Sequence, residues 1–515
     1  MAESKNSSLT EEMVGYEKII KGAGSERPQA GFDALEFSDH PFNDPSINFV
    51  LDMHISERTN YLTFISLFVA VILFAGCGSD SEYPIRSEVE GTLRILAAID
   101  STGDFSGFRI SVLTQKDGDV DTLGTAVTER DGVFSMTVRA PEKGIYPILV
   151  ERGGTTLSIG EFVAVDGDSV SISATFPLGT RPLPILSEEN AAWTAYKNTK
   201  AQHNRSMLDL LESDSYRPQG LGLITAQTST ILWSIQSSYA GTMGGDLAMA
   251  ESIVMMEGWN DSTVVARLAQ VSLDNESIVE VVRAARRSVA RLSGGKASID
   301  FIRDYLARVP ESKQAGIMAE LVVAFADSGM TVEAVAASTD LRRLYPDSEW
   351  FDWAARATYD LENLQPGMDA PVYSVTSREG VELSSSSMSG KFVVLEFFNP
   401  LEQIWRRELQ ARDGIAGALT QSAFETISVS VEPDSVINEA LFDGDDHPGH
   451  FIWSDLGLDH QIVKDYNVNV LPTRFLINPD GIIVARYTGP ALANLERDLA
   501  TIIADLNDIA ARLSQ

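Results

Sequence analysis

Between residues 87 and 176, apolar and polar positions alternate in short runs separated by Asp-Gly, Gly-Gly and Gly-Asp pairs. Phe108-Arg109-Ile110-Ser111-Val112-Leu113, Gly132-Val133-Phe134-Ser135-Met136-Thr137-Val138 and Ser169-Val170-Ser171-Ile172-Ser173 are such runs. A period of two turns one side of each strand to a core and the other to water. With turns at this spacing, residues 87–180 read as a small antiparallel β-sandwich. Arg181-Pro182-Leu183-Pro184 makes a stiff boundary, and from 187 to 362 the period becomes helical, as in Val264-Val265-Ala266-Arg267-Leu268 and Ile278-Val279-Glu280-Val281-Val282-Arg283. Val309-Pro310, Ser328-Gly329 and Tyr345-Pro346 divide 296–362 into successive helical pairs, an irregular version of a helical-hairpin array. Beyond 366 the pattern changes again. Val372–Val375 and Val381–Leu383 predict a hairpin, Lys391–Phe398 a buried strand, and Arg406–Leu409 a following helix. The chain is therefore multidomain α+β: an N-terminal antiparallel β-sandwich, a central helical region and a C-terminal α/β domain over 366–515.

Tyr61 to Gly76 carries no charge and spans sixteen residues. That is short for a transmembrane helix, which needs about 20, and suits the core of a signal peptide. Residues 53–77 form a leader if translation begins at Met53. Residues 1–52 then stand upstream of the translated chain, and a tryptic peptide from 30–50 in the native proteome would contradict this. The alternative is a cytoplasmic tail with an uncleaved anchor. Residues 78–86, opening Gly78-Ser79-Asp80-Ser81-Glu82, read as a solvated tether.

Composition narrows the chemistry. A formal net charge of −33 over 515 residues makes nucleic acid a poor partner. The single cysteine, Cys77, rules out an intramolecular disulfide, a four-cysteine zinc site and a two-cysteine redox cycle. Asp117, Asp119 and Asp121 open like a calcium loop, yet the sixth position is Thr122 and the twelfth Thr128, so a hairpin tip fits better. Met243, Met249, Met255 and Met256 read as core. Asp443, Asp445, Asp446, His447 and His450 make a dense acidic-histidine loop, read as solvated because no helix or strand imposes ligand geometry. No metal site and no cofactor is assigned, and no Walker loop, zincin helix, nucleophile elbow or dinucleotide fingerprint is present.

Leu73-Phe74-Ala75-Gly76-Cys77-Gly78-Ser79 resembles a bacterial lipobox, with Phe74 where that family usually has Leu. The resemblance implies that Cys77 accepts diacylglycerol, which places the protein on a bilayer in the cell envelope, facing the periplasm or the cell surface. Two or three acyl chains, at about 0.8 kcal/mol per buried methylene, anchor stably. Thr128-Glu129-Arg130-Asp131-Gly132-Val133-Phe134 resembles a turn of carboxypeptidase-regulatory-like β-domains.

Gln365-Pro366-Gly367-Met368-Asp369-Ala370-Pro371, Gly390-Lys391-Phe392-Val393-Val394-Leu395-Glu396-Phe397-Phe398 and Val470-Leu471-Pro472-Thr473-Arg474-Phe475 together resemble the membrane-tethered thioredoxin-like oxidoreductases of the TlpA/ResA type. In that family a Cys-x-x-Cys pair follows the first strand; here the positions hold Glu402-Gln403-Ile404-Trp405. The resemblance implies that Glu402 takes the place of the thiolate at a helix N-terminus, where a carboxylate suits the dipole but cannot exchange with a disulfide. It implies that Trp405 fills the resolving position and that Pro472 is the cis-proline beside the site. Glu396 falls on the family's buried acid and would titrate high if desolvated; otherwise it is a partly exposed strand residue with a local partner. A retained peptide groove would be lined by Phe398, Trp405, Leu471 and Pro472, unless the proline serves the fold alone. The leading expectation is a non-catalytic module that binds an unknown envelope protein or peptide. The alternatives are a redox protein working through a partner's cysteines or a cofactor, and a structural envelope scaffold.

Overall fold

The computed structural model describes residues 83–513 apart from 117–118, 214–216, 420–422 and 443–445. Cys77, the leader, residues 1–52, Asp117, Asp443 and Asp445 lie outside the described residues. Among the described residues eight strands come first: β1 (Ile85–Ile95), β2 (Phe108–Lys116), β3 (Asp119–Val127), β4 (Val133–Ala140), β5 (Gly144–Arg152), β6 (Thr155–Ala164), β7 (Ser169–Phe176) and β8 (Ile185–Leu186). They form two four-stranded sheets, ordered β4-β1-β7-β8 and β3-β2-β5-β6. Alternate residues such as Val170, Ile172, Ala174 and Phe176 of β7 point into a shared core with Phe108, Ile110 and Ile148.

An all-antiparallel arrangement is not what forms: β1 and β7 pair parallel, with Val89 opposite Val170 and Leu93 opposite Ala174. Period-two patterning fixes which face is buried but carries no information on strand direction, so the sequence could not separate the two cases. Gly91 permits this pairing, because a Cβ there would sit 1.9 Å from the Ile172 carbonyl oxygen. The first strand also begins at Ile85, inside the segment expected to be tether.

Nine helices follow among the described residues: α1 (Glu188–Leu211), α2 (Pro218–Ser238), α3 (Met243–Val254), α4 (Asp261–Leu268), α5 (Ile278–Ser293), α6 (Gly295–Leu306), α7 (Glu311–Asp327), α8 (Thr331–Leu344) and α9 (Trp350–Asn363). Several start on side-chain caps: Ser187, Thr242 and Asn260 accept from the backbone N–H groups of Asn190, Gly245 and Thr263. Helix α7 is central, buried without a break from Ala315 to Phe325. Its one interior charge, Glu320, is held between Arg283 and Arg286 at 2.7 and 3.1 Å. No described helix is long and apolar enough to cross a membrane.

Two junctions tie the regions together. Asn190 of α1 donates to the Val163 carbonyl and accepts from its N–H, satisfying the outer edge of β6. At the other end of the helical region, Asp360 of α9 receives Arg486 at 2.9 Å and Asn467 at 2.7 Å. Burial raises the Asp360 carboxyl above its usual range, and Arg486 and Asn467 offset only part of that.

The last region contains a β9 (Ser374–Thr376)–β10 (Glu382–Ser384) hairpin. It continues through β11 (Phe392–Phe398), α10 (Gln403–Ala418), β12 (Phe424–Ser430), α11 (Ser435–Ala440), β13 (His450–Trp453), α12 (Gln461–Asp465), β14 (Thr473–Ile477), β15 (Ile483–Thr488) and α13 (Leu492–Leu513). Its sheet is ordered β13-β12-β11-β14-β15. Strands β11, β12 and β13 run parallel, and β14 and β15 complete the sheet antiparallel. The carboxyl ends of β11, β12 and β13 therefore share one edge with the start of β14.

Candidate functional site

That edge is where the site residues gather. Strand β11 is buried from Val393 to Phe398 and apolar there except at Glu396, so it sits at the centre of the sheet and delivers the chain to the start of α10. Asn399 turns the corner: its side-chain oxygen accepts from Leu401 N–H at 2.8 Å, and its carbonyl from Glu402 N–H at 3.0 Å. Glu402 is the N-cap residue of α10, with φ −67° and ψ 126°, and its side chain makes no capping bond. The carboxylate is exposed at the positive end of the helix, a placement worth about 0.3–1 kcal/mol. Trp405, one turn along, points inward. It is fully buried and stacks on Phe398 with centroids 4.2 Å apart and planes 18° apart. Phe451 closes the cluster edge-on to Phe398 at 6.0 Å. The Trp405 indole N–H has no acceptor among the described residues.

This geometry corrects the expected groove. Phe398 and Trp405 are both 0% exposed, so neither can face a ligand; two large aromatic rings in sequence proximity bury each other instead. Pro472 is buried too, and only Leu471 is half-exposed. The Leu471–Pro472 bond is cis. The Pro472 carbonyl is taken by Gly489 N–H at 2.8 Å, whereas the Leu471 N–H and carbonyl have no hydrogen-bond partner among the described residues. Exposed apolar side chains stand on the segments that follow the strands at this edge: Leu401 after β11, Val436 in the first turn of α11, and Leu456 and Leu458 after β13.

Beneath the aromatic cluster lies a charged layer. Glu396 is 1% exposed and is neither a partly exposed strand residue nor a high-titrating acid. Arg474 Nε donates to one carboxylate oxygen at 2.8 Å; Arg412 Nε, at 3.2 Å, and the Ser428 hydroxyl, at 2.9 Å, donate to the other. Burial alone would raise its pKa, but the two guanidinium groups and these hydrogen bonds outweigh it and hold Glu396 below the usual carboxylate range. Arg474 continues the row to Glu408 at 2.8 Å. Glu408 moves the other way, raised by burial that its single cation does not fully offset. Arg412 extends to Asp413 and the Pro448 carbonyl, both at 2.8 Å. Neither arginine was singled out from sequence. The available signal was a charged residue inside each of two buried strands, Glu396 and Arg474, which the antiparallel register sets opposite each other.

The acidic-histidine loop is not solvated at its centre. His447 is buried, with Nδ1 2.6 Å from Asp413 Oδ2 and Nε2 3.0 Å from the Leu441 carbonyl. Both ring nitrogens face acceptors, so neither is free to bind a metal. His450 instead lies 3.5 Å from Glu425. Among the described residues no group of three potential ligands converges.

A five-stranded mixed sheet, a helix starting at the end of its central strand and a cis-proline entering the facing strand define a thioredoxin-like fold of the ResA/TlpA type. Known relatives agree: the thiol-disulfide oxidoreductase ResA of Bacillus subtilis (strain 168) is 26% identical over 142 residues, 28% of this chain and 78% of that protein. ResA of Bacillus thuringiensis (strain Al Hakam) is 25% identical over 130 residues, 25% of this chain and 73% of that protein. Among solved structures, a putative thiol:disulfide interchange protein DsbE from Chlorobium tepidum matches at 20% identity and TM-score 0.25, covering 28% of this chain and 98% of that one. StoA from Bacillus subtilis matches at 21% identity and TM-score 0.21, covering 24% and 92%. No family model matches the chain.

Proposed function

We propose that the chain is a lipid-anchored, extracytoplasmic envelope protein whose thioredoxin-like domain binds an extended peptide or protein segment without redox catalysis. The observation that carries this reading is the pairing of an unreactive centre with an open edge. Glu402 and buried Trp405 stand where the resemblance puts the redox cysteines, while the Leu471 backbone, ahead of β14 at the same sheet edge, is unpaired among the described residues. A thiolate attacks a disulfide; a carboxylate and an indole do not. An extended segment laid along Leu471 would gain main-chain hydrogen bonds, and Leu401, Val436, Leu456 and Leu458 would supply apolar contact. Cys77, outside the described residues, is the proposed lipidation site.

A photo-crosslinking residue placed at Leu456 in the native cell tests the reading. A discrete adduct, lost when Leu458 is changed to Glu, is the expected result; equal labelling from a control position at Ile159 of the sandwich would overturn it. The ResA relatives are thiol-disulfide oxidoreductases, which favours a redox-related second reading, and exchange would then have to run through a partner's cysteines. Insulin-disulfide reduction separates the two.

A further inference from the structure

Strand order decides which segments lie beside the unpaired Leu471 backbone. The strands run β13-β12-β11-β14 across the sheet, so four connections stand side by side at this edge: 454–460 after β13, 431–434 after β12, 399–402 after β11, and 466–472 before β14. With neighbouring strands about 4.8 Å apart, the row spans about 14 Å, the reach of four or five extended residues. These connections carry five carboxylates, Glu402, Glu432, Asp434, Asp455 and Asp459, and no lysine or arginine. Glu432 is turned inward, accepting from the Asn399 amide at 3.3 Å and the Asp434 N–H at 3.0 Å. The other four are exposed. Asp459 pairs with Lys464 of α12 at 2.9 Å. Glu402, Asp434 and Asp455 make no ion pair with the described residues. Arg406 and Arg407 lie a turn further along α10.

We propose that this edge selects a cationic extended segment, one carrying lysine or arginine among apolar residues; the inference rests on the peptide-binding reading above. Each unpaired carboxylate has an exposed apolar side chain within two residues of it: Glu402 follows Leu401, Asp434 precedes Val436, and Asp455 precedes Leu456. That alternation suits lysine and arginine, whose methylene stems lie on apolar surface while the charge reaches past it to a carboxylate. The Leu471 N–H and carbonyl would hold the segment's main chain. An acidic segment would meet three uncompensated carboxylates and be repelled, so the same charges that favour one class of partner reject the other.

Fluorescence anisotropy with the full chain carrying Cys77→Ser tests the selection. The probes are three labelled ten-residue peptides that alternate valine with lysine, with serine or with glutamate. The lysine peptide should bind about tenfold more tightly than the serine peptide and lose affinity as salt rises; the glutamate peptide should not bind. Glu402→Gln, Asp434→Asn and Asp455→Asn together should remove the preference, and asparagine at 434 still caps α11. Glu129→Gln, Glu142→Gln and Glu333→Gln, at exposed positions elsewhere, should leave it intact. Equal loss in both triple variants would assign the preference to the bulk charge of the chain and overturn the proposal. Equal affinity for the lysine and serine peptides, both lost in Leu458→Glu, would overturn the charge selection and leave the peptide edge standing. Lysine-peptide binding unchanged by Leu458→Glu would remove the edge itself. Failure of all three peptides to bind would overturn the selection, and the crosslink from Leu456 would then decide the edge alone.

Discussion

Replacing Glu396 by glutamine removes the anion that Arg412 and Arg474 share while keeping the shape of the side chain. The side chains of Arg474, Arg412 and Glu396 are 1%, 4% and 1% exposed, so water cannot take over the lost charge. Breaking a buried pair from one side costs about 3–5 kcal/mol. For a domain of this size, 1 kcal/mol moves Tm by about 2–4 °C, so the variant should melt about 6–20 °C lower. Calorimetry on the whole protein at pH 7 reads the shift in the transition of the C-terminal domain. The pH dependence has a definite sign. The folded-state pKa of Glu396 is depressed, so its contribution is complete above the titration of an unfolded glutamate, near about 4.3. It is lost as pH falls through the lower folded value. The gap between parent and variant should therefore be flat near neutrality and close only in acid. A neutral, proton-exchanging Glu396 would instead make Glu396→Gln almost silent at pH 7, and that result would refute the reasoning.

Other consequences are as concrete. Trp405→Ala empties the aromatic cluster and should cost about 3–5 kcal/mol by chemical denaturation, without creating disulfide reductase activity. Asp360→Ala leaves Arg486 buried without its anion, so the calorimetric transition of the C-terminal domain should fall by several degrees. Asn190→Ala strips both hydrogen bonds from the edge of β6 at Val163 and should lower stability by about 1–3 kcal/mol, with faster amide exchange at Val163. Cys77→Ser should abolish metabolic incorporation of palmitate; retained labelling would contradict lipid attachment at this residue.

The parts of the C-terminal domain that the sequence made legible are those written in local signals. The apolar run of β11, the turn into α10 and the Leu471-Pro472 dipeptide each announce themselves within a few residues. What it hid depends on residues far apart in the chain. Arg412 and Arg474 approach Glu396 only once α10 and β14 fold onto the same strand. His447 looked solvated among aspartates, yet Asp413 on α10 draws it inside. Phe398 and Trp405 looked like a groove because a one-dimensional pattern cannot tell whether two rings face a ligand or each other. The parallel pairing of β1 with β7 was hidden for the same reason: alternation encodes faces, not directions.

The proposed function requires a thioredoxin-like domain that does not transfer electrons. Insulin-disulfide reduction, driven by excess dithiothreitol and measured with the full chain carrying Cys77→Ser, addresses it most directly. Turbidity should develop at the uncatalysed rate, because Glu402 and Trp405 offer no sulfur to carry electrons. Turnover above that background, proportional to protein concentration, would contradict it.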